Sequence, residues 1–153
     1  MSTFDLNGFC RQLVEEAPDA VVYAAADGRI AFWNRGAERI FGFSEAEAKG
    51  QSLDIIIPEN LRERHWQGFT ATMRTGTSRY GAGDILAVPA LRKDKSRISI
   101  EFTVLPFRDE RGEIAGIAAI LRNVTQRFEE MRALRRALAA RSQPASAGST
   151  ATE

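Results

Sequence analysis

The apolar positions along this chain change their period several times, and each change marks an element. From about Asp5 to Glu16, Phe9 and Leu13, joined by Cys10 and Val14, fall on one face of a helix that Pro18 ends. Val21 to Ala25 and Ile30 to Trp33 then read as two strands. The pair between them, Asp27-Gly28, tolerates positive φ, so a hairpin is predicted. Asn34 to Phe41 gives a short helix with Ile40 and Phe41 turned inward and Gly42 at its end. Ser44 and Glu47 stand at the spacing of a capping box, in which hydroxyl and carboxylate satisfy two open amides of a helical turn. Gly50 ends that turn.

The longest helical candidate runs from Pro58 to about Gly76, with proline near its start and glycine at its end. Leu61, Phe69 and Met73 form its apolar stripe. Gly68 inside it costs roughly 1 kcal/mol relative to alanine, which predicts a bend or a close approach there. Three strands follow, Asp84 to Leu91, Arg97 to Phe107 and Ile114 to Asn123. In the second, Ile98, Ile100, Phe102 and Val104 alternate with Arg97, Ser99, Glu101 and Thr103, the period of a half-buried strand. Pro89 lacks an amide proton and belongs at an edge or bulge, while Asp94-Lys95 and Asp109 to Gly112 supply turns. Helices standing between two groups of strands predict an α+β domain, an antiparallel sheet with helices on one face.

After Arg122 the pattern becomes Val124, Phe128, Met131, Leu134 and Leu138 among Glu129, Glu130, Arg132, Arg135 and Arg136. Those steps make a narrow helical seam. It has two possible covers, the chain's own sheet or a second copy. From Ser142 to Glu153 the apolar period disappears, and disorder is expected.

Composition narrows the function. At 153 residues and 44% apolar, the chain can bury one core without metal or disulfide. A net charge of +1 provides no field toward nucleic acid or an anionic membrane. Arg62-Glu63-Arg64 and Arg132 to Arg136 read as solvated faces, so no nucleic-acid partner is expected. The single cysteine, Cys10, fits a reducing compartment. No stretch reaches the roughly 20 apolar residues of a membrane span, and the N-terminus lacks the basic start of a signal peptide. A cytoplasmic location is the expectation.

Candidate chemistry is sparse. His65, the only histidine, lies in the polar run Arg62-Glu63-Arg64-His65-Trp66, which predicts a solvent-facing or neighbour-bonded ring. No Gly-x-Ser-x-Gly elbow places a serine beside it, and one cysteine and one histidine far apart give no metal-ligand spacing. Gly81-Ala82-Gly83 precedes a strand, whereas a phosphate cradle opens a helix. An enzyme is not expected.

One ordered series of signposts adds to this reading: Asp27-Gly28, Asn34, Phe41-Gly42-Phe43-Ser44 with Glu47 and Gly50, Ile57-Pro58, Arg92-Lys93-Asp94, Asp109 to Gly112, and Arg122-Asn123-Val124-Thr125-Gln126-Arg127. The series resembles the PAS sensor family, whose domains end in Asp-Ile/Val-Thr. The resemblance implies a five-stranded sheet of order 2-1-5-4-3 with helices enclosing a pocket on its inner face. It divides the chain into a flanking helix at 1–17, a sensor core at 18–125, a signalling or dimerisation helix at 126–141 and a tail at 142–153. The pocket it implies is lined by Val22, Phe32, Ile40, Phe41, Ile56, Phe69, Met73, Tyr80, Leu86, Ile100, Phe102, Ile117 and Ala119, positions that an ordinary core would use equally.

The resemblance also assigns a signal junction at Arg122, Asn123 and Thr125, and dimer contacts at Phe9, Leu13, Phe128, Met131, Leu134 and Leu138. Asn123 stands where the family carries aspartate, which puts a salt bridge at the exit in doubt. Lys95 stands where it carries glycine. Haem ligation would fall to His65 or Tyr80, although the positions matching the family's proximal histidines are Ala71 and Tyr80. A flavin adduct would need an Asn-Cys-Arg-Phe-Leu-Gln segment that is missing, and Cys10 precedes the first strand. No cofactor is therefore favoured. The function implied is a sensory module that binds a small apolar ligand and signals to a partner or an output domain, as part of a longer protein or by itself. A ligand-free scaffold for dimerisation or protein interaction and a haem-based gas or redox sensor are the alternatives.

Overall fold

Capping decides where the first elements begin. Asp5 accepts the amides of Asn7 and Gly8 and opens α1 (Leu6–Glu16), and β1 (Ala20–Ala25) and β2 (Ile30–Trp33) follow as the expected hairpin. Asn34 caps α2 (Arg35–Phe41), and the reciprocal Ser44 and Glu47 bonds of a capping box open α3 (Glu45–Ala48). A 3-10 turn, Leu53–Ile56, leads into α4 (Glu59–Thr75). Three strands, β3 (Leu86–Leu91), β4 (Arg97–Arg108) and β5 (Ile114–Asn123), precede α5 (Thr125–Ser142). The computed structural model describes residues 2–78 and 85–143. The tail expected to be disordered and Tyr80 thus lie outside the described residues, apart from Ser142 and Gln143.

The strands form one antiparallel sheet in the order β2-β1-β5-β4-β3, the order that the resemblance implies. Pro89 sits on the edge strand β3, where its missing amide proton breaks no central ladder. On β1, Ala20, Val22 and Ala24 are buried while Val21, Tyr23 and Ala25 are half-buried. The helices cover the first set. Their core joins Val22, Ile30, Trp33, Ile40, Phe41, Ile56, Ile98, Ile100 and Leu121. Trp33 and Phe41, fully buried with ring centroids 5.4 Å apart, are its largest members, and the Trp33 indole donates to the Phe43 carbonyl at 3.0 Å. Full burial of one such ring contributes about 1.5 to 3 kcal/mol.

Two sequence expectations require correction. Phe32 does not line the inner face: it pairs with Tyr23 on the outer one, and its neighbours Ile30 and Trp33 enter the core. Successive strand residues alternate sides, and a register shift between Tyr23 and Ala24 lets both Ile30 and Trp33 point inward. Gly68 makes no close approach, since a Cβ built there meets nothing within 4 Å. Of the two covers left open for the terminal helix, the sheet is not the one used: α5 buries no residue, and Phe128, Met131, Leu134 and Leu138 are between 47% and 66% exposed. Lys95 adopts φ 70° in its turn, the left-handed conformation for which the family's glycine is suited.

Candidate functional site

The helix α4 closes one end of the inner face, and three side chains fix its start. Trp66 Nε1 donates to Asp54 Oδ1 at 2.7 Å, while Arg62 donates to the carbonyls of Ile57 and Asp54 at 3.0 and 3.3 Å. The Trp66 ring lies over Gly28, where a Cβ would come within 2.6 Å of the indole and where φ is +79°. Glycine is therefore required twice over, by the turn and by the tryptophan. At the other end of α4, Arg108 donates to the Gly76 carbonyl at 3.2 Å and to the Gly112 carbonyl at 2.7 Å.

Between those ends the half-buried face of α4 carries Leu61, His65, Phe69 and Met73 at steps of four, with buried Thr72 beside them. His65 is not solvent-facing as its polar neighbours suggest. Its Nδ1 is buried with no hydrogen-bond partner, and its ring stands edge-on to Trp66 at 4.7 Å and tilted to Phe69 at 6.2 Å. Burial lowers its pKa below the ordinary 6.5, opposed in part by the charge of Asp54. The Thr72 hydroxyl is already used, donating to the Gly68 carbonyl at 2.9 Å. The inner-face strand positions are apolar: Ala24 pairs with Ile117, Val104 with Ala119 and Pro106 with Ile117.

The residues expected to line a pocket thus divide. Val22, Ile40, Phe41, Ile56 and Ile100 fill the core near β1 and β2, with Phe102 and Ala119 packed against them. Phe69, Met73, Leu86 and Ile117 are only half-buried, the first two on the same face of α4 as His65. Two open concavities lie elsewhere. One of about 570 Å³ runs along α4 by Glu63, Trp66, Gln67 and Thr70, and one of about 470 Å³ lies beside Gly42 and Arg92 to Asp94.

The signal junction is a second constellation, at the far end of β5. Arg122 forks onto Asp19, Nε to Oδ1 at 3.1 Å and Nη2 to Oδ2 at 2.8 Å. The Thr125 hydroxyl accepts the Ser99 amide at 3.0 Å and donates to Asn123 Oδ1 at 2.6 Å; the same Oδ1 accepts the Thr125 amide at 3.1 Å. Val124 N donates to the Ser99 carbonyl at 2.9 Å. An amide oxygen at position 123 therefore binds the amide and hydroxyl of Thr125, the first residue of α5, while the ion pair of the exit belongs to Arg122. Asn34 is the residue whose reach the sequence did not disclose: 3% exposed, it accepts from Val21 and Ala37 and donates to the carbonyls of Val14 and Asp19. The sequence pattern places it inside the helix, whereas it stands before α2 as its cap.

The terminal helices leave their apolar faces uncovered. No residue of α1 or α5 is buried, with Phe9 48% and Leu13 56% exposed. The outer face of the sheet is similar, with Leu105, Phe107 and Ile120 exposed and Tyr23 edge-on to Phe107 at 5.8 Å. Among the described residues no group of histidine, cysteine or carboxylate side chains is placed to hold a metal ion, and no helix is long and apolar enough to cross a membrane.

Comparison with known proteins agrees with this architecture. The family model described as PAS fold matches residues 8–124. The chain is 33% identical over 127 residues to an uncharacterised protein of Azorhizobium caulinodans, covering 82% of this chain and 17% of that protein. It is 31% identical over 94 residues to the sensor protein FixL of Bradyrhizobium diazoefficiens, covering 61% of this chain and 18% of FixL. The chain spans less than a fifth of the length of either relative. Among solved structures, the PAS domain of a protein from Colwellia psychrerythraea superposes with a TM-score of 0.68 at 22% identity, over 80% of this chain and 99% of that one, a likeness of fold. With the family match extending from α1 to the exit junction, the chain belongs to the PAS family.

Proposed function

We propose that this sensory PAS domain binds a small, largely apolar ligand between α4 and the inner face of the sheet. The change on binding passes through α1 and α5 to a partner or an output domain. The observation that carries this reading is the shared root of the two helices. Asp19, between α1 and β1, is forked by Arg122 at the end of β5, and α5 starts from bonds to Ser99 of β4. A shift of the central strands would thus reach both helices at once. The likeness to a sensor protein agrees with that role. The module acts by binding, without turnover, in the cytoplasm and as a homodimer, since a second copy would cover Phe9, Leu13, Phe128, Met131, Leu134 and Leu138. Those same uncovered faces favour the second reading, a ligand-free scaffold.

Native mass spectrometry and amide hydrogen exchange separate the two. Gently purified protein is expected to be colourless and to carry a small-molecule adduct that unfolding and refolding removes. Its loss should speed exchange around Val124 to Phe128. Identical mass and identical exchange before and after stripping would leave the scaffold as the function, and a Soret band that disappears in His65→Ala or Tyr80→Phe would put haem in place of the apolar ligand.

A further inference from the structure

We propose that His65 is the polar anchor of the ligand site, and that the site takes an uncharged molecule with an apolar body and one hydrogen-bond donor aimed at Nδ1. This rests on the ligand-binding reading above and adds the chemical class. Among the described residues, Nδ1 of His65 is the buried side-chain nitrogen or oxygen atom without a hydrogen-bond partner. Every polar neighbour on the same face of α4 is engaged elsewhere: Arg62 with two carbonyls, Trp66 with Asp54, and Thr72 with its own helix. Arg108, at the end of β4, is occupied by the carbonyls of Gly76 and Gly112. Among the described residues nothing is left to serve Nδ1, and a buried polar atom without a partner is a standing cost.

The chemistry of that atom selects the ligand. Of the two neutral tautomers, the one with the proton on Nδ1 would bury an N–H without an acceptor, which is tolerated less well than an idle lone pair. Nδ1 therefore presents a lone pair, and the ligand supplies the donor. Trp66 and Phe69 pack against its ring, and Leu61 and Met73 share its half-buried face of α4. Asp54 is the charge that the imidazole feels, so an anionic ligand would be repelled there. An apolar body would complete the burial of those side chains.

Phenol, anisole and benzoate test the proposal, because they share one ring and differ in donor, methylated acceptor and charge. Titrations of the full chain followed by NMR should show phenol binding about tenfold more tightly than anisole, the worth of one hydrogen bond, with no binding of benzoate. The Nδ1 nitrogen signal should move on addition of phenol. His65→Phe should bind phenol and anisole equally and melt at a higher temperature without ligand. Equal binding in the wild type, an unmoved Nδ1 signal with bound phenol, or a preference that survives His65→Phe would remove His65 as anchor and leave the pocket intact. Binding of none of the three would overturn the anchor and the pocket together. The Nδ1 signal is read on the wild-type protein, so the test stands even where the variant folds poorly.

Discussion

Replacing Asn34 by aspartate exchanges one NH2 group for one oxygen at a buried crossroads. Oδ1 accepts from Val21 N at 2.8 Å and from Ala37 N at 2.9 Å, so it serves β1 and caps α2. Nδ2 donates to the Val14 carbonyl at 2.9 Å and the Asp19 carbonyl at 3.0 Å, tying in the end of α1 and the segment before β1. Two amides on one side and two carbonyls on the other fix which atom is oxygen and which nitrogen. In Asn34→Asp the oxygen side survives, and the helix dipole of α2 favours its charge. The nitrogen side inverts. A carboxylate oxygen then faces two carbonyl oxygens, with two hydrogen bonds lost at about 1 kcal/mol each and buried acceptors left unpaired at about 1 to 3 kcal/mol.

The expected loss is about 3 to 5 kcal/mol near neutral pH, a large share of the roughly 5 to 15 kcal/mol that holds a domain together. At about 2 to 4 °C per kcal/mol for a chain of this size, the melting temperature should fall by roughly 10 °C. The pH dependence distinguishes this mechanism from a general loss of packing. Protonation gives the carboxyl one donor for one of the two carbonyls, so the folded-state pKa of the new aspartate lies above its unfolded value of about 3.9. The penalty is then present above the folded pKa and is relieved as pH falls through it. Urea denaturation followed by the fluorescence of Trp33 and Trp66 measures both quantities. A variant within about 1 kcal/mol of the wild type, or a deficit that does not change with pH, would refute this account of Asn34.

Replacing Met131, Leu134 and Leu138 together by serine should shift the mass from dimer toward monomer in light scattering with the near-ultraviolet circular dichroism of the core unchanged, because none of these side chains is buried on its own chain; a wild-type protein already monomeric at tens of micromolar would end the dimer reading. The Glu47 carboxyl, hydrogen-bonded first by the Lys93 ammonium and then by the Ser44 amide, is pushed from 4.5 down to about 2. Its contribution is therefore fully present above about pH 4.5 and lost as pH falls toward 2. Lys93→Met should flatten the stability profile across that window, and an unchanged profile would show that the pair contributes nothing in solution.

Much of the fold was legible because local rules carried it. Asp27-Gly28, the Ser44 and Glu47 box, Pro89 on an edge and the alternation of Ile98, Ile100 and Phe102 each state a constraint within a few residues. What failed to show depended on a partner or on a phase. Phe32 and Trp33 are adjacent and both aromatic, and only the register shift in the first hairpin decides which of them enters the core. His65 was masked by Arg62, Glu63 and Arg64, although the step from Leu61 to Phe69 to Met73 already placed it on the inward face. Lys95 shows the opposite limit: a turn that needs φ 70° can hold a lysine, so the missing glycine did not mean a missing turn.

The exit junction shows why a departure from a family pattern is not itself a loss of function. Asn123 in place of aspartate removes a charge, and from sequence that reads as a broken salt bridge. In the fold, the bridge is made by Arg122 to Asp19, residues 103 positions apart that the pairing of Ala20 with Leu121 brings to one end of the sheet. Asn123 keeps the part that an amide oxygen performs as well as a carboxylate, accepting from the backbone and hydroxyl of Thr125. The ion pair here rests on the Arg122 cation, and its carboxylate partner, Asp19, stands at the root of α1. The pair joins the segment between α1 and β1 to the end of β5, and so the roots of the two uncovered helices.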